Sequence, residues 1–103
     1  MGARGVVVGH GTMAMGMVDA VRSIAGIEED ALVALSNDGK GPDSLREELT
    51  RIVGPGTVVV FTDMHAGSCV VAARVTCRSG GQRAVVCGVN LPMLIEFAFH
   101  RSD

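Results

Sequence analysis

A chain of 103 residues, 48% hydrophobic but only 3% aromatic, has room for one domain with a core of Val, Ala, Leu, Ile and Met. A formal net charge of −2 without a long run of one sign argues against the electrostatic footprint of a nucleic-acid or anionic-membrane binder. No segment reaches the roughly 18 consecutive apolar residues of a membrane span, and the 3 cysteines, Cys69, Cys77 and Cys87, fit neither a zinc spacing nor a disulfide framework. These features predict a cytoplasmic domain with buried free thiols, no direct membrane insertion, no metal and no cofactor.

The chain opens with a short β-branched run at residues 5–8 that ends on Gly9-His10-Gly11. Residues 12–25 predict a helix, with Met13, Met17, Val21 and Ile24 at spacings of three and four and Gly26 closing it. Met15 falls off that face. Residues 31–35 form a second candidate strand, followed by the turn-rich segment 36–42. Asp43 or Ser44 is placed to cap a helix running to Val53, with Leu45, Leu49 and Ile52 on its buried face. Gly54-Pro55-Gly56 breaks it. Residues 57–61, almost all β-branched or aromatic, are the strongest strand signal in the chain. After the loop 62–67, Ser68 is placed to cap a third helix reaching about Arg78, and Ser79-Gly80-Gly81 ends it. A fourth strand is expected over 83–87 and a last helix over 93–100, opened by Pro92. His100, beside Arg101, is expected at the surface.

Apolar strands alternating with helices predict an α/β fold: a three-layer, doubly wound, mainly parallel four-stranded sheet with helices on both faces. In such sheets the functional groups gather outside the carboxyl ends of the strands, near the point where strand order reverses. That rule brings together Gly9-His10-Gly11, Ser36-Asn37-Asp38, the segment from Thr62 to Ser68, and Gly88-Val89-Asn90. His10, flanked by glycines that leave space around its ring, reads either as a nucleophile or as a histidine that satisfies a hydrogen bond at a strand end. Asp63 reads either as the carboxylate that fixes the imidazole tautomer or as a solvated loop residue. Gly67 and Ser68 open a helix whose first N–H groups suit a phosphoryl group, although a plain cap has the same sequence signature. His65 reads as a phosphate contact, a metal ligand or a half-exposed loop residue.

Three segments together resemble a known family: the strand leading into Gly9-His10-Gly11, the run Val58-Val59-Val60-Phe61-Thr62-Asp63 followed by Gly67-Ser68, and the run from Gly88 through Asn90-Leu91-Pro92-Met93 to Glu96. The pattern is similar to the mannose-type enzyme IIA domain of the bacterial phosphoenolpyruvate-dependent sugar phosphotransferase system. The resemblance implies that His10 accepts a phosphoryl group from the carrier protein HPr and donates it to an enzyme IIB domain. It implies that Asp63 orients the ring, that Gly11, Gly67 and Ser68 surround the phosphate, and that Asn37, His65 and Asn90 line the cleft rim. It also implies a homodimer. The chain departs from the family at Cys69-Val70-Val71, where a Pro-Phe-Asn type segment is usual, and at Met64 and His65. It stops at Asp103, so the further helix and strand usual after this point are expected to be lacking from a single domain spanning 1–103. Two other readings fit parts of the pattern: a small sirohydrochlorin-type chelatase using His10, and a regulatory module in which phosphorylated His10 is a signal.

Overall fold

Valine-rich runs between glycine turns leave the backbone little choice but extended structure, and a sheet covered on both faces buries every side chain such runs carry. The computed structural model describes residues 2–64, 67–78 and 82–102. Its strands are β1 (Arg4–Gly9), β2 (Leu32–Ser36), β3 (Val58–Thr62) and β4 (Arg83–Val86), and its helices are α1 (Met13–Ala25), α2 (Pro42–Val53), α3 (Ser68–Cys77) and α4 (Leu91–Phe99). A 3-10 turn, Glu29–Ala31, precedes β2. The four strands form one parallel sheet in the order β2-β1-β3-β4. This is the predicted doubly wound α/β architecture.

The strand period of two sorts side chains between two core layers. Val6 and Val8 of β1 and Val58 and Val60 of β3 meet Leu45, Leu49, Ala72 and Ala73, the buried faces of α2 and α3. Val7 and Phe61 point the other way, to Val18, Val21 and Leu94 of α1 and α4. Burying one such Leu is worth about 1.5–3 kcal/mol relative to exposure. Phe61 and Phe97 meet edge to face at 5.3 Å, and Gly5 makes room for them: a Cβ there would lie 2.8 Å from the Phe97 ring and 2.7 Å from Leu32.

Helix ends explain most departures from the predicted boundaries. Gly26 closes α1 in the left-handed conformation, as expected. Within α1, however, the fully buried stripe is Ala14, Val18 and Val21, and Ile24 is 60% exposed. Neither Asp43 nor Ser44 caps α2; the helix starts at Pro42 behind Gly41, since proline at the first position needs no N–H partner. Its last carbonyls, on Ile52 and Val53, accept hydrogen bonds from the Arg4 guanidinium at 2.9 and 3.0 Å. Helix α4 begins two residues before the expected Met93, because the Asn90 side chain accepts the Met93 N–H and draws Leu91 and Pro92 into the first turn. The Ser79-Gly80-Gly81 turn lies outside the described residues.

Candidate functional site at the strand switch point

Strand order reverses between β1 and β3: the chain leaves β1 toward β2 on one side and reaches β3 on the other. Val8 pairs with Thr62 across this seam, so Gly9-His10 and Asp63 emerge side by side at the carboxyl edge. Two sequence-distant residues thus meet because two adjacent strands end in register.

A single oxygen, Asp63 Oδ2, accepts both the His10 backbone N–H at 3.0 Å and the ring Nδ1 at 2.5 Å. Burial of the carboxyl opposes its charge, but the ring and backbone hydrogen bonds from His10 outweigh that and hold Asp63 below the usual carboxylate range. An ionised carboxylate only accepts hydrogen bonds, so the proton of the neutral ring sits on Nδ1 and the Nε2 lone pair is free. The Asp63 side chain is 10% exposed and the His10 side chain 45%. The solvated-loop alternative for Asp63 therefore does not describe its side chain.

The loops around this pair are tied down. Ser36 Oγ donates to the Gly11 carbonyl at 2.9 Å and accepts the Asp38 N–H at 3.1 Å, while the Asn37 N–H donates to the Gly9 carbonyl at 3.1 Å. Gly11 turns the chain at a φ of 60°, which favours glycine. On the other side, the Val89 N–H donates to the Thr62 carbonyl at 2.9 Å, holding the end of β3 against the turn that leads into α4.

Helix α3 contributes its first turn. Gly67, with a φ of 105°, occupies the cap position and Ser68 is the first helical residue. No side chain caps the helix, so the expected capping role of Ser68 is not realised: the glycine takes the one backbone conformation a serine avoids. Ser68 Oγ is left to face Asn37, whose Nδ2 lies 3.5 Å away. Cys69 is buried with its Sγ 3.9 Å from His10 Nδ1. Burial and then the Asp63 charge push the Cys69 thiol up, partly offset by a hydrogen bond with Ser68.

The structure thus gathers His10, Gly11, Asn37, Asp63, Gly67 and Ser68 at one sheet edge. Asn90 lies at the same edge, but its amide is engaged at home: Oδ1 accepts from Met93 and Nδ2 donates to the Gly88 carbonyl at 3.4 Å. Among the described residues no hydrogen bond joins it to His10 or Asp63. His65 lies outside the described residues. Sequence reasoning placed Ser36 at this edge without a role, since its clamping of the loops has no motif, and missed Cys69, read only as a buried thiol. The cue for Cys69 was its place in the first turn of a helix aimed at His10.

A family model described as PTS system fructose IIA component matches residues 5–103. The fold is similar to that of phosphotransferase system component EIIA from Streptococcus agalactiae, with a TM-score of 0.89 and 25% identity over 97% of this chain and 79% of that one. A mannose/sorbose specific IIA subunit from Enterococcus faecalis aligns with a TM-score of 0.84 and 25% identity, over 97% and 78% of the two chains. A PTS IIA protein associated with the fucose utilization operon of Streptococcus pneumoniae shares the fold at a TM-score of 0.84 and 20% identity, over 100% and 83%. No curated protein sequence matches. The family match takes precedence over the chelatase alternative. With strands, switch point and family pattern in agreement along nearly its whole length, the chain belongs to the mannose-type enzyme IIA family, the phosphocarrier components of the sugar phosphotransferase system.

Proposed function

We propose that His10 Nε2 is the atom that carries the phosphoryl group, received from phosphorylated HPr and passed to an enzyme IIB domain. The observation that carries this reading is the Nδ1–Asp63 contact on a half-exposed ring, which leaves Nε2 as the nucleophilic nitrogen. On loading, the N–P bond of the donor histidine breaks as the Nε2–P bond forms; on discharge, the Nε2–P bond breaks as the acceptor forms its own bond to phosphorus; in both, Nδ1 keeps its proton against Asp63. The ring gains positive character as the bond forms, so a fixed carboxylate on the far nitrogen lowers the barrier. Phosphoryl transfer asks for in-line positioning and charge stabilisation more than for further chemistry. This reading assigns the phosphoryl oxygens to the N–H groups opening α3, with Ser68 Oγ and Asn37 Nδ2, whose mutual distance is 3.5 Å.

Incubation with phosphoenolpyruvate, enzyme I and HPr, followed by intact-mass measurement, tests the proposal. One acid-labile phosphate is expected, absent in His10→Ala. No phosphate with any HPr tried would refute it. The reading includes a homodimer, which sedimentation equilibrium checks.

A further inference from the structure

The first turn of α3 brings a third donor to the His10–Asp63 pair. Cys69 Sγ, a His10 ring nitrogen and a carboxylate oxygen of Asp63 all lie within 4.8 Å of one another. They represent the three ligand types that zinc accepts: thiolate, imidazole and carboxylate. The other carboxyl oxygen, Asp63 Oδ1, is buried with no hydrogen-bond partner among the described residues. We propose that His10, Asp63 and Cys69 form a binding site for a soft divalent cation of the zinc type, and that its occupation blocks phosphoryl loading; the blocking half rests on the carrier reading above.

The geometry requires little movement. Ligand atoms around a tetrahedral zinc are separated by about 3.3–3.6 Å, given bonds of about 2.0–2.3 Å. Cys69 Sγ and His10 Nδ1 stand at 3.9 Å and need to close slightly. His10 Nδ1 and Asp63 Oδ2 stand at 2.5 Å and need to open, which the half-exposed His10 side chain permits. Water completes the shell from the solvent side. Binding releases one proton net: the thiol proton leaves to solvent, while the Nδ1 proton is exchanged through solvent for one on Nε2 and the ring stays neutral. A neutral imidazole bound to metal through Nδ1 carries its proton on Nε2. The lone pair that attacks phosphorus is then gone, so the cation blocks loading by selecting the wrong tautomer.

The test uses the full chain with Co2+ as spectroscopic probe and Zn2+ for affinity. The wild type and a Cys77→Ser/Cys87→Ser variant are expected to bind one ion and to show a thiolate-to-cobalt charge-transfer band. Cys69→Ser should lose the band and weaken Zn2+ binding at least about tenfold, because the soft ligand is gone. Asp63→Asn, which keeps the side-chain shape, should also weaken it and serves if Cys69→Ser melts early. Separately, the rate of loading from purified phospho-HPr is compared with and without Zn2+ within each protein. Inhibition is expected in the wild type and should be relieved in Cys69→Ser. Absence of a thiolate band, a band that survives Cys69→Ser, or equal inhibition of both proteins would overturn the proposal. A wild type that binds cobalt through Cys69 yet never accepts phosphate upholds the metal site and removes the carrier reading with its blocking role.

Discussion

Replacing Asp63 by Asn tests the chemistry while preserving the shape. An amide oxygen in the place of Oδ2 still accepts the two His10 N–H groups, which the wild type binds at 2.5 and 3.0 Å, so the ring stays oriented. What is lost is the negative charge. Two unit charges about 4 Å apart interact by about 4 kcal/mol at an effective dielectric of about 20. The His10 side chain is 45% exposed, so solvent screens part of this, and the charge on the ring is only partial when the N–P bond is half formed. A charge-assisted hydrogen bond exceeds a neutral one by roughly 1–1.5 kcal/mol. Together these bracket a barrier increase of about 1.5–3 kcal/mol, or a slowing of about 10–150-fold at 1.36 kcal/mol per decade. Asp63→Ala removes orientation as well and should slow transfer by roughly 10–1,000-fold. Rapid-quench measurement of transfer from phospho-HPr reads both, with thermal melts to confirm folding. A rate for Asp63→Asn within about twofold of wild type refutes the electrostatic argument, even if His10 proves to be the carrier.

Other consequences are open to the same tests. Because the folded-state Asp63 ionises more readily than an unfolded one, its stabilising effect is complete above the ordinary carboxylate value and is lost as pH falls through the lowered folded value. Urea midpoints of wild type and Asp63→Asn should therefore converge below about pH 4, and parallel profiles would contradict this. Asn90→Ala should cost about 0.5–2 kcal/mol through the lost α4 cap, and, if the amide acts only there, leave the phosphoryl-transfer rate within about twofold. Leu49→Ala, at a fully buried position between α2 and the sheet, should cost about 2–5 kcal/mol in urea unfolding. Gly5→Ala drives a methyl into Leu32 and Phe97 and should cost about 1–3 kcal/mol by the same assay.

Strand and helix identities were legible because each rests on a local pattern. Residues 57–61 announce a strand through their β-branched and aromatic side chains, yet the ladder runs over Val58–Thr62, since register against β1 pairs Val8 with Thr62. Ends depend on single backbone choices that composition does not encode. Gly67 rather than Ser68 takes the cap of α3, and the Asn90 side chain sets the start of α4. Ile24 fits a spacing of three from Val21 but lies off the stripe of Ala14, Val18, Val21 and Ala25 that packs on the core, so it is exposed. The approach of His10 to Asp63 was foreseeable from the switch-point rule, because both residues follow strands. The approach of Cys69, 59 positions from His10, follows from its place in the first turn of α3, but that its side chain turns inward to the ring is a matter of packing that the spacing alone does not record.

On the proposed carrier reading, the partners of most of the cations bear on whether this edge suits transit of a phosphoryl group or its retention. Arg4 binds the carbonyls that end α2, Arg22 those of Glu29 and Leu32, Arg83 that of Gly54, and Arg101 that of Ala3. Arg46 and Lys40 pair with Asp43 and Glu48 along α2. Each of these cations is engaged with a carbonyl or a carboxylate of its own neighbourhood, and none of these contacts involves His10. A guanidinium clamp at the ring would hold a phosphate bidentately and deepen the bound state. Neutral donors such as Ser68 Oγ and Asn37 Nδ2, with the Asp63 carboxylate behind the ring, would on that reading stabilise the charge that develops during transfer without trapping the product. The proposed acceptor would then need only a modest advantage to take the group onward. Introducing arginine at Asn37, beside Ser68, should accordingly raise the yield of phosphorylated protein at equilibrium while slowing its discharge to the acceptor.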